Sequence, residues 1–311
     1  MANPMNVSVI LCTYNRSESL AKTLASIARS KVPESIQWEV LVIDNNSRDA
    51  TRPVTEEFCR RHPSMFRYLF EPKQGKSNAL NAGIQAARGE ILAFTDDDVT
   101  VEPTWLQNLT SSLTKGDWAG AGGRTVPESK FSAPRWMASE DRYTMGPLAM
   151  FDLGSQPREL VEPLFGNNMA YRKEVFEKYG RFLPNLGPCP GSEIRSEDTE
   201  FGQRLLSAGE RLRYEPSAVV YHAVPPSRIQ KSYFLAWWFA KGRAEIRERG
   251  VPTDTRWFVA GVPLYLFRRL LVWTLKWMCG GSPSRRFFGQ RQLWWVAGTI
   301  LECHRQSREP R

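Results

Sequence analysis

Hydrophobic and polar positions along the first hundred residues alternate in blocks, and the blocks predict strands and helices in turn. The run Val7–Cys12 (VSVILC) reads as a buried strand, followed by the polar turn Thr13-Tyr14-Asn15-Arg16. Ser17 is placed to cap a helix reaching about Arg29. Trp38–Asp44 (WEVLVID) is a second strand, ending in Asn45-Asn46-Ser47, and residues 49–61 read as helix. Phe66–Phe70 is a weaker third strand, and Lys76–Arg88 a helix stopped by Gly89. Ile91–Thr95 (ILAFT) is a fourth strand running into Asp96-Asp97-Asp98. Apolar strands alternating with helices indicate a parallel sheet covered on both faces.

The pattern weakens after Trp118–Gly123, and residues 124–163 read as a long loop rich in Pro, Gly and charge. Phe165–Tyr171 predicts a further strand and Lys173–Tyr179 a short helix. Ser196 stands at the N-cap of a helix over Glu197–Ala208, and Arg211–Tyr214 and Ala218–His222 close the compact part. From about Ser227 the chain reads as helical and aromatic. The expected division is an α/β domain over 1–226 and a helical region over 227–311.

Charge separates these two parts. Of the 311 residues, 223–311 hold 16 Lys and Arg against 5 Asp and Glu, and 7 of the 11 tryptophans. Residues 1–222 hold 26 basic and 28 acidic side chains, so the net +9 belongs to the C-terminal part. Basic and tryptophan-rich together point to an anionic membrane surface rather than to nucleic acid. Within Trp257–Cys279 the charges are Arg268, Arg269 and Lys276. They fall in one arc of about 100° on a helical wheel. Gly280-Gly281-Ser282-Pro283-Ser284 breaks that helix ahead of a second segment, Gln292–Leu301. The longest uncharged apolar run, Trp257–Phe267, is shorter than the roughly 20 residues of a membrane-crossing helix. The basic helices are therefore expected to lie in the bilayer interface; the competing reading is a pair of core helices. The N-terminus shows no secretory-signal pattern, and the five cysteines have neither zinc-site nor disulfide spacing, which fits a reducing compartment.

Ligands of an open parallel sheet bind beyond the carboxyl ends of its strands, and three polar clusters lie at such ends: Thr13-Tyr14-Asn15, Asp44-Asn45-Asn46 and Asp96-Asp97-Asp98. Three adjacent carboxylates repel one another unless a cation holds them, and all-oxygen ligands suit Mg²⁺ or Mn²⁺ bridging to phosphates. The chain has no GxGxxG after its first strand and no GxxxxGK[ST], so it lacks the phosphate cradles of dinucleotide dehydrogenases and P-loop nucleotidases. Lys76 is then a candidate for a diphosphate, or an ordinary lysine at a helix start. Glu197-Asp198 at a helix N-terminus are either capping acids or a general base and its neighbour.

Six segments in order resemble the family 2 glycosyltransferases with the GT-A fold: VSVILCTYNR, VLVIDNNS, GKSNALNAGI, GEILAFTDDD, FGNNMAYRKEVFEKYGRF and SEDTEFGQRL. The resemblance covers about residues 7–222. It implies a GT-A-like, Rossmann-related mixed α/β sheet and inverting transfer of a sugar from a nucleotide diphosphate sugar to an acceptor hydroxyl. Carried over by residue, Thr13, Tyr14 and Asn15 would line the nucleotide pocket and Asp44 would contact the base. Lys76 would lie near the diphosphate and Asp96 near the ribose. Asp98, with Asp97, would hold Mg²⁺ or Mn²⁺, and His222 stands where some members place a further metal ligand. Asp198 matches the proposed catalytic base, with Glu197 orienting the acceptor. Two departures stand out. Asn45 follows Asp44 where the family often has a second acid, and no QxxRW motif is present, which favours one sugar per cycle. The implied acceptor is a saccharide or polyprenyl-linked hydroxyl in cell-surface glycan synthesis, met at the cytoplasmic face of the membrane by peripheral or monotopic binding. Two other classes share parts of the pattern. A nucleotidyltransferase would release pyrophosphate, and a non-catalytic binding protein would hold a nucleotide sugar without turnover.

Overall fold

The computed structural model describes residues 7–137, 146–192, 194–253 and 255–308. Contacts divide the chain into two units. The first comprises 1–129, 149–184 and 197–223, the second 130–148, 185–196 and 224–311.

The first unit is built on one mixed sheet. Its strands are β1 (Val7–Thr13), β2 (Trp38–Asp44), β3 (Phe66–Phe70), β4 (Ile91–Thr95), β5 (Val99–Val101), β6 (Gly120–Pro127), β7 (Arg158–Leu160), β8 (Asn168–Arg172) and β9 (Leu212–His222). The order is β3-β2-β1-β4-β8-β6-β9-β5, with β7 also on β9. The pairs β3–β2, β2–β1 and β1–β4 are parallel, whereas β8 runs antiparallel between β4 and β6.

Strand side chains alternate faces. Val9, Leu11, Val40, Val42, Ile91 and Ala93 pack on one side under α1 (Ser17–Ala28) and α4 (Trp105–Lys115). Ile10, Leu41, Ile43, Leu92 and Phe94 pack on the other. That side is covered by α3 (Lys76–Ala86), α5 (Lys173–Tyr179) and α6 (Glu197–Ser207). Burial on both faces is why these strands read as continuous apolar runs. The remaining helix, α2 (Thr51–Arg61), packs beside α1 and β3.

Several local expectations are corrected. Ser17 is the first residue of α1 rather than its cap; its backbone N–H donates to Asp49 Oδ2 at 2.9 Å. Asp49 also accepts from Thr51 N, so one carboxylate serves the starts of both α1 and α2. The loop expected over 124–163 contains the end of β6, a 3₁₀ turn at Gly146–Leu148, and β7. Its residues 138–145 lie outside the described residues. Three-residue strands such as β5 and β7 are too short to leave a periodic signature. The two segments around Pro216 form one strand, β9, whose register against β6 shifts between Gly123 and Arg124.

The second unit contains α7 (Lys231–Arg249), the hairpin β10 (Phe258–Val259) and β11 (Val262–Pro263), α8 (Leu264–Cys279) and α9 (Pro283–Gln306). The helix expected from Trp257 therefore starts at Leu264. Ala260 and Gly261, both at positive φ, form a two-residue turn, and Pro263 lies just before the helix. The break before α9 is also shorter than expected, because Pro283 and Ser284 belong to α9. Ser282 caps it, accepting from Arg285 N at 3.2 Å.

Helices α7 and α9 cross at two glycines. A Cβ on Gly242 would lie 2.0 Å from Trp295 O, and one on Gly298 would lie 2.0 Å from Phe239 O. Backbone contact this close admits no side chain. An unconstrained helical Gly→Ala change stabilises by up to about 1 kcal/mol. Gly298→Ala is expected to reverse that sign and destabilise by about 1–3 kcal/mol, because the helices must separate. Urea unfolding of the two proteins decides it; a more stable Gly298→Ala protein would contradict the crossing.

Candidate active site

Parallel pairing brings the polar clusters together. Thr13 lies opposite Asp44 in the β1–β2 register, and Leu11 lies opposite Thr95 in β1–β4. The segments after β1, β2 and β4 therefore leave the same sheet edge. Antiparallel β8 brings Asn168 opposite Thr95, so Gly166 and Asn167 join that edge from the other direction. His222 pairs with Val99 at the end of β9, next to Asp98.

Two cations organise the acidic residues. Lys76, at the start of α3, donates from Nζ to Asp96 Oδ1 at 2.7 Å and lies 3.6 Å from Glu197 Oε1. Burial opposes its charge, but Asp96 and Glu197 outweigh burial and hold the ammonium well above the usual lysine range. Arg16 Nη1 bridges Asp97 Oδ1 at 3.0 Å and Asp98 Oδ2 at 2.8 Å. Burial pushes the Asp97 carboxyl up to about 6 despite the Arg16 guanidinium. Burial likewise raises Glu197 to about 7, outrunning the attraction of Lys76. Glu197 Oε2 is buried with no hydrogen-bond partner among the described residues.

Asp198 is half-buried and held by its neighbours. Its Oδ2 accepts from Gly166 N at 2.8 Å, and its Oδ1 accepts from Thr199 N at 2.7 Å. A Cβ on Gly166 would meet Asp198 Oδ2 at 2.7 Å, so the approach needs glycine. Asp44 is buried; its Oδ1 accepts from Ser47 N and its Oδ2 from the Tyr68 hydroxyl at 2.9 Å. Thr13 is buried at the end of β1, and Tyr14 is exposed beside it. Asn15 joins the loop after β2: its Oδ1 accepts from Arg48 N at 2.7 Å and its N–H donates to Ser47 Oγ. His222 is buried, with Nε2 3.6 Å from Asp98 Oδ1.

The donor set suits a hard divalent cation shared with a ligand. Oxygens of Asp97 and Asp98 already converge on one cationic nitrogen, that of Arg16. Among the described residues no three His, Cys, Asp or Glu side chains close around a single point. Two carboxylates would thus leave coordination positions for phosphate oxygens and water, the usual arrangement for Mg²⁺ at a phosphate.

Three contributors escape sequence reasoning. Arg16 ended a polar turn with nothing to mark it; the signal was the need of three adjacent aspartates for a cation. Asn45, noted as a departure, donates from Nδ2 to Glu71 O and Lys73 O and accepts Gly75 N at Oδ1. An aspartate could not make the two donations. Asn45 therefore shapes the loop that delivers Lys76. Asn168 bridges Trp105 Nε1 and the carbonyls of Arg124 and Ala218, fixing β8 beside the site.

Comparison with known proteins identifies the family. Residues 8–180 match the family model described as Glycosyl transferase family 2. The succinoglycan biosynthesis protein ExoM of Rhizobium meliloti is 30% identical over 244 residues, 78% of this chain and 75% of that protein. The glucosyl-dolichyl phosphate glucuronosyltransferase of Haloferax volcanii is 26% identical, covering 75% of each chain. Among solved structures, a mannosyltransferase from Pyrobaculum calidifontis in complex with GDP-Man and Mn²⁺ superposes with a TM-score of 0.58. That likeness is at 19% identity and covers 96% of this chain and 73% of the other. With its mixed GT-A-like sheet and its motifs brought to one edge, the chain belongs to glycosyltransferase family 2.

Proposed function

We propose that residues 1–226 catalyse metal-dependent, inverting transfer of one sugar per cycle from a nucleoside diphosphate sugar. The observation that carries this reading is the meeting of Asp96 and Glu197, from motifs far apart in the chain, on the single ammonium of Lys76. That contact supports one site in which Lys76 would meet the diphosphate beside the Glu197-Asp198 pair. Asp98 and Asp97 would hold Mg²⁺ or Mn²⁺, which when bound offsets charge on the leaving diphosphate, and His222, 3.6 Å from Asp98, would join them only once the ion draws the three side chains together. Asp44, Asp96 and the Thr13-Tyr14-Asn15 turn would hold the nucleoside, and Lys76 the diphosphate.

In the proposed step the acceptor oxygen attacks the anomeric carbon as the bond to the diphosphate oxygen breaks. The acceptor proton passes to the Asp198 carboxylate, and the nucleoside diphosphate leaves with the bonding electron pair. Gly166 N and Thr199 N fix the direction of that carboxylate. Glu197, buried with an unsatisfied oxygen, would orient the acceptor.

The proposed acceptor is a hydroxyl of a saccharide or polyprenyl-linked glycan in cell-surface polysaccharide synthesis, in keeping with the relatives above. The basic, aromatic second unit supports peripheral or monotopic binding at an anionic membrane surface, on the cytoplasmic face where nucleotide sugars are available. Among the described residues no helix is long and apolar enough to cross a membrane.

Two outcomes are expected. In the first, the purified chain with Mn²⁺ and a panel of nucleotide sugars releases nucleoside diphosphate from one donor class. Asp198→Asn keeps nucleotide affinity and loses about 10²–10⁴-fold in transfer. Release of pyrophosphate, or transfer by Asp198→Asn within a few-fold of wild type, would contradict the reading. The second concerns pH. A carboxyl raised from its unfolded value to about 7 favours the fold while protonated, so its contribution is lost as pH rises from about 4.5 through 7. The thermal midpoint should fall over that window, by at most about 3 kcal/mol of stability. Glu197→Gln should flatten the decline; an unchanged slope in that variant would show that Glu197 does not titrate there.

A further inference from the structure

The outer surface of α8 is apolar where a helix at a protein–water boundary carries charge. At 100° per residue, Phe267, Met278, Leu271, Leu264 and Leu275 share one arc of about 80°. Their exposures run from 37% to 68%. The opposite arc is satisfied within the unit. Leu266 is buried, and the Trp273 ring stands edge-on to Phe288 of α9 at 5.6 Å. Helix α8 thus packs one side within its unit and leaves the other apolar and exposed. The hairpin immediately before it adds Trp257, 73% exposed, with Phe258 and Val259. The hairpin is fixed rather than loose: Ala260 O makes hydrogen bonds to His304 Nδ1 at 3.0 Å and Ser307 Oγ at 3.4 Å on the end of α9. Contiguous exposed apolar surface of this kind marks an interaction site.

Charge selects the occupant. Residues 255–301 contain seven Arg and Lys and no Asp or Glu. A second copy docking by a twofold would set this positive surface against itself. A bilayer containing anionic lipid offers acyl chains to the leucines and phosphates to the guanidiniums. We infer that the outer arc of α8, with the β10–β11 hairpin, is a monotopic seat lying in the plane of an anionic lipid surface. On the helical wheel Arg268 lies about 20° beyond Leu275 at the edge of the apolar arc, where its apolar stem lets the guanidinium reach the headgroups, whereas Arg269 and Lys276 lie on the far side, against the Trp295 and Trp273 rings. This inference rests on the membrane partner proposed above and assigns it to particular side chains.

The test is co-sedimentation of the full chain with vesicles of phosphatidylcholine, alone or mixed with phosphatidylglycerol, at low and high salt. Wild type is expected to bind the mixed vesicles more tightly, and high salt to weaken that binding without abolishing it. Leu271→Glu with Met278→Glu should lower binding about tenfold or more, since each loses a buried apolar side chain and adds an anion. Thermal midpoint and donor hydrolysis in solution should be unchanged, because neither residue belongs to the catalytic unit. Arg268→Gln should remove part of the preference for anionic lipid and retain the salt-resistant part. Equal binding by the glutamate variant, or no binding by wild type, overturns the seat. So does a wild-type dimer in light scattering that the glutamate variant dissolves, which would make the face an interface between copies. Donor hydrolysis persisting in any of these cases leaves the glycosyltransferase reading intact, and its absence in wild type removes that reading separately.

Discussion

Carboxylate repulsion at the carboxyl end of β4 is the constraint around which the first unit is organised. Asp96, Asp97, Asp98, Glu197 and Asp198 come together there with two cations, Lys76 and Arg16. Both cations are partly exposed, so each pair contributes less than a buried one would, but without them the acids would be left facing one another uncompensated. The chain accordingly spends several side chains on positioning the lysine. Asn45 braces the loop from Glu71 to Gly75, and α3 starts at Lys76 as that loop ends. Even so, two of the five acids, Asp97 and Glu197, keep carboxyls raised by burial, a local charge balance that a divalent cation would complete.

Sheet topology makes the convergence possible. Parallel β1, β2 and β4 send their following segments to one edge, and antiparallel β8 sends the segment before it to the same edge. Gly166, two residues ahead of β8, thereby reaches the first turn of α6 and directs Asp198. Residues from opposite halves of the chain thus meet at one edge. The proposed chemistry uses the same division: nucleotide contacts on the parallel half, acceptor contacts where the antiparallel strand enters.

Elements buried on both faces were legible in the sequence because apolar runs of five or more residues leave few alternatives; β1, β2 and β4 lie where VSVILC, WEVLVID and ILAFT predict. Their acidic and polar ends were legible for the same reason. What escaped was whatever depends on a distant partner. Ser17 has the right side chain for a cap, yet Asp49 from another loop takes the job. Arg16 is unremarkable until the fold sets it against Asp97 and Asp98, and Asn45 looks like a missing acid until its two carbonyl partners are seen. In the second unit, composition identified basic aromatic helices, but only burial separates the inward Leu266 from the outward Leu271.

Electron paramagnetic resonance of Mn²⁺ titrated into the protein, with and without nucleoside diphosphate, tests the charge balance most directly. In the nucleotide-free protein Arg16 already neutralises Asp97 and Asp98, so Mn²⁺ should bind weakly. With a nucleoside diphosphate of the donor class, phosphate oxygens complete the coordination, and affinity should rise by about tenfold or more. Asp98→Ala should lose that gain. Equal Mn²⁺ affinity in the two conditions, or the full gain surviving Asp98→Ala, would contradict a metal held between these aspartates and the donor.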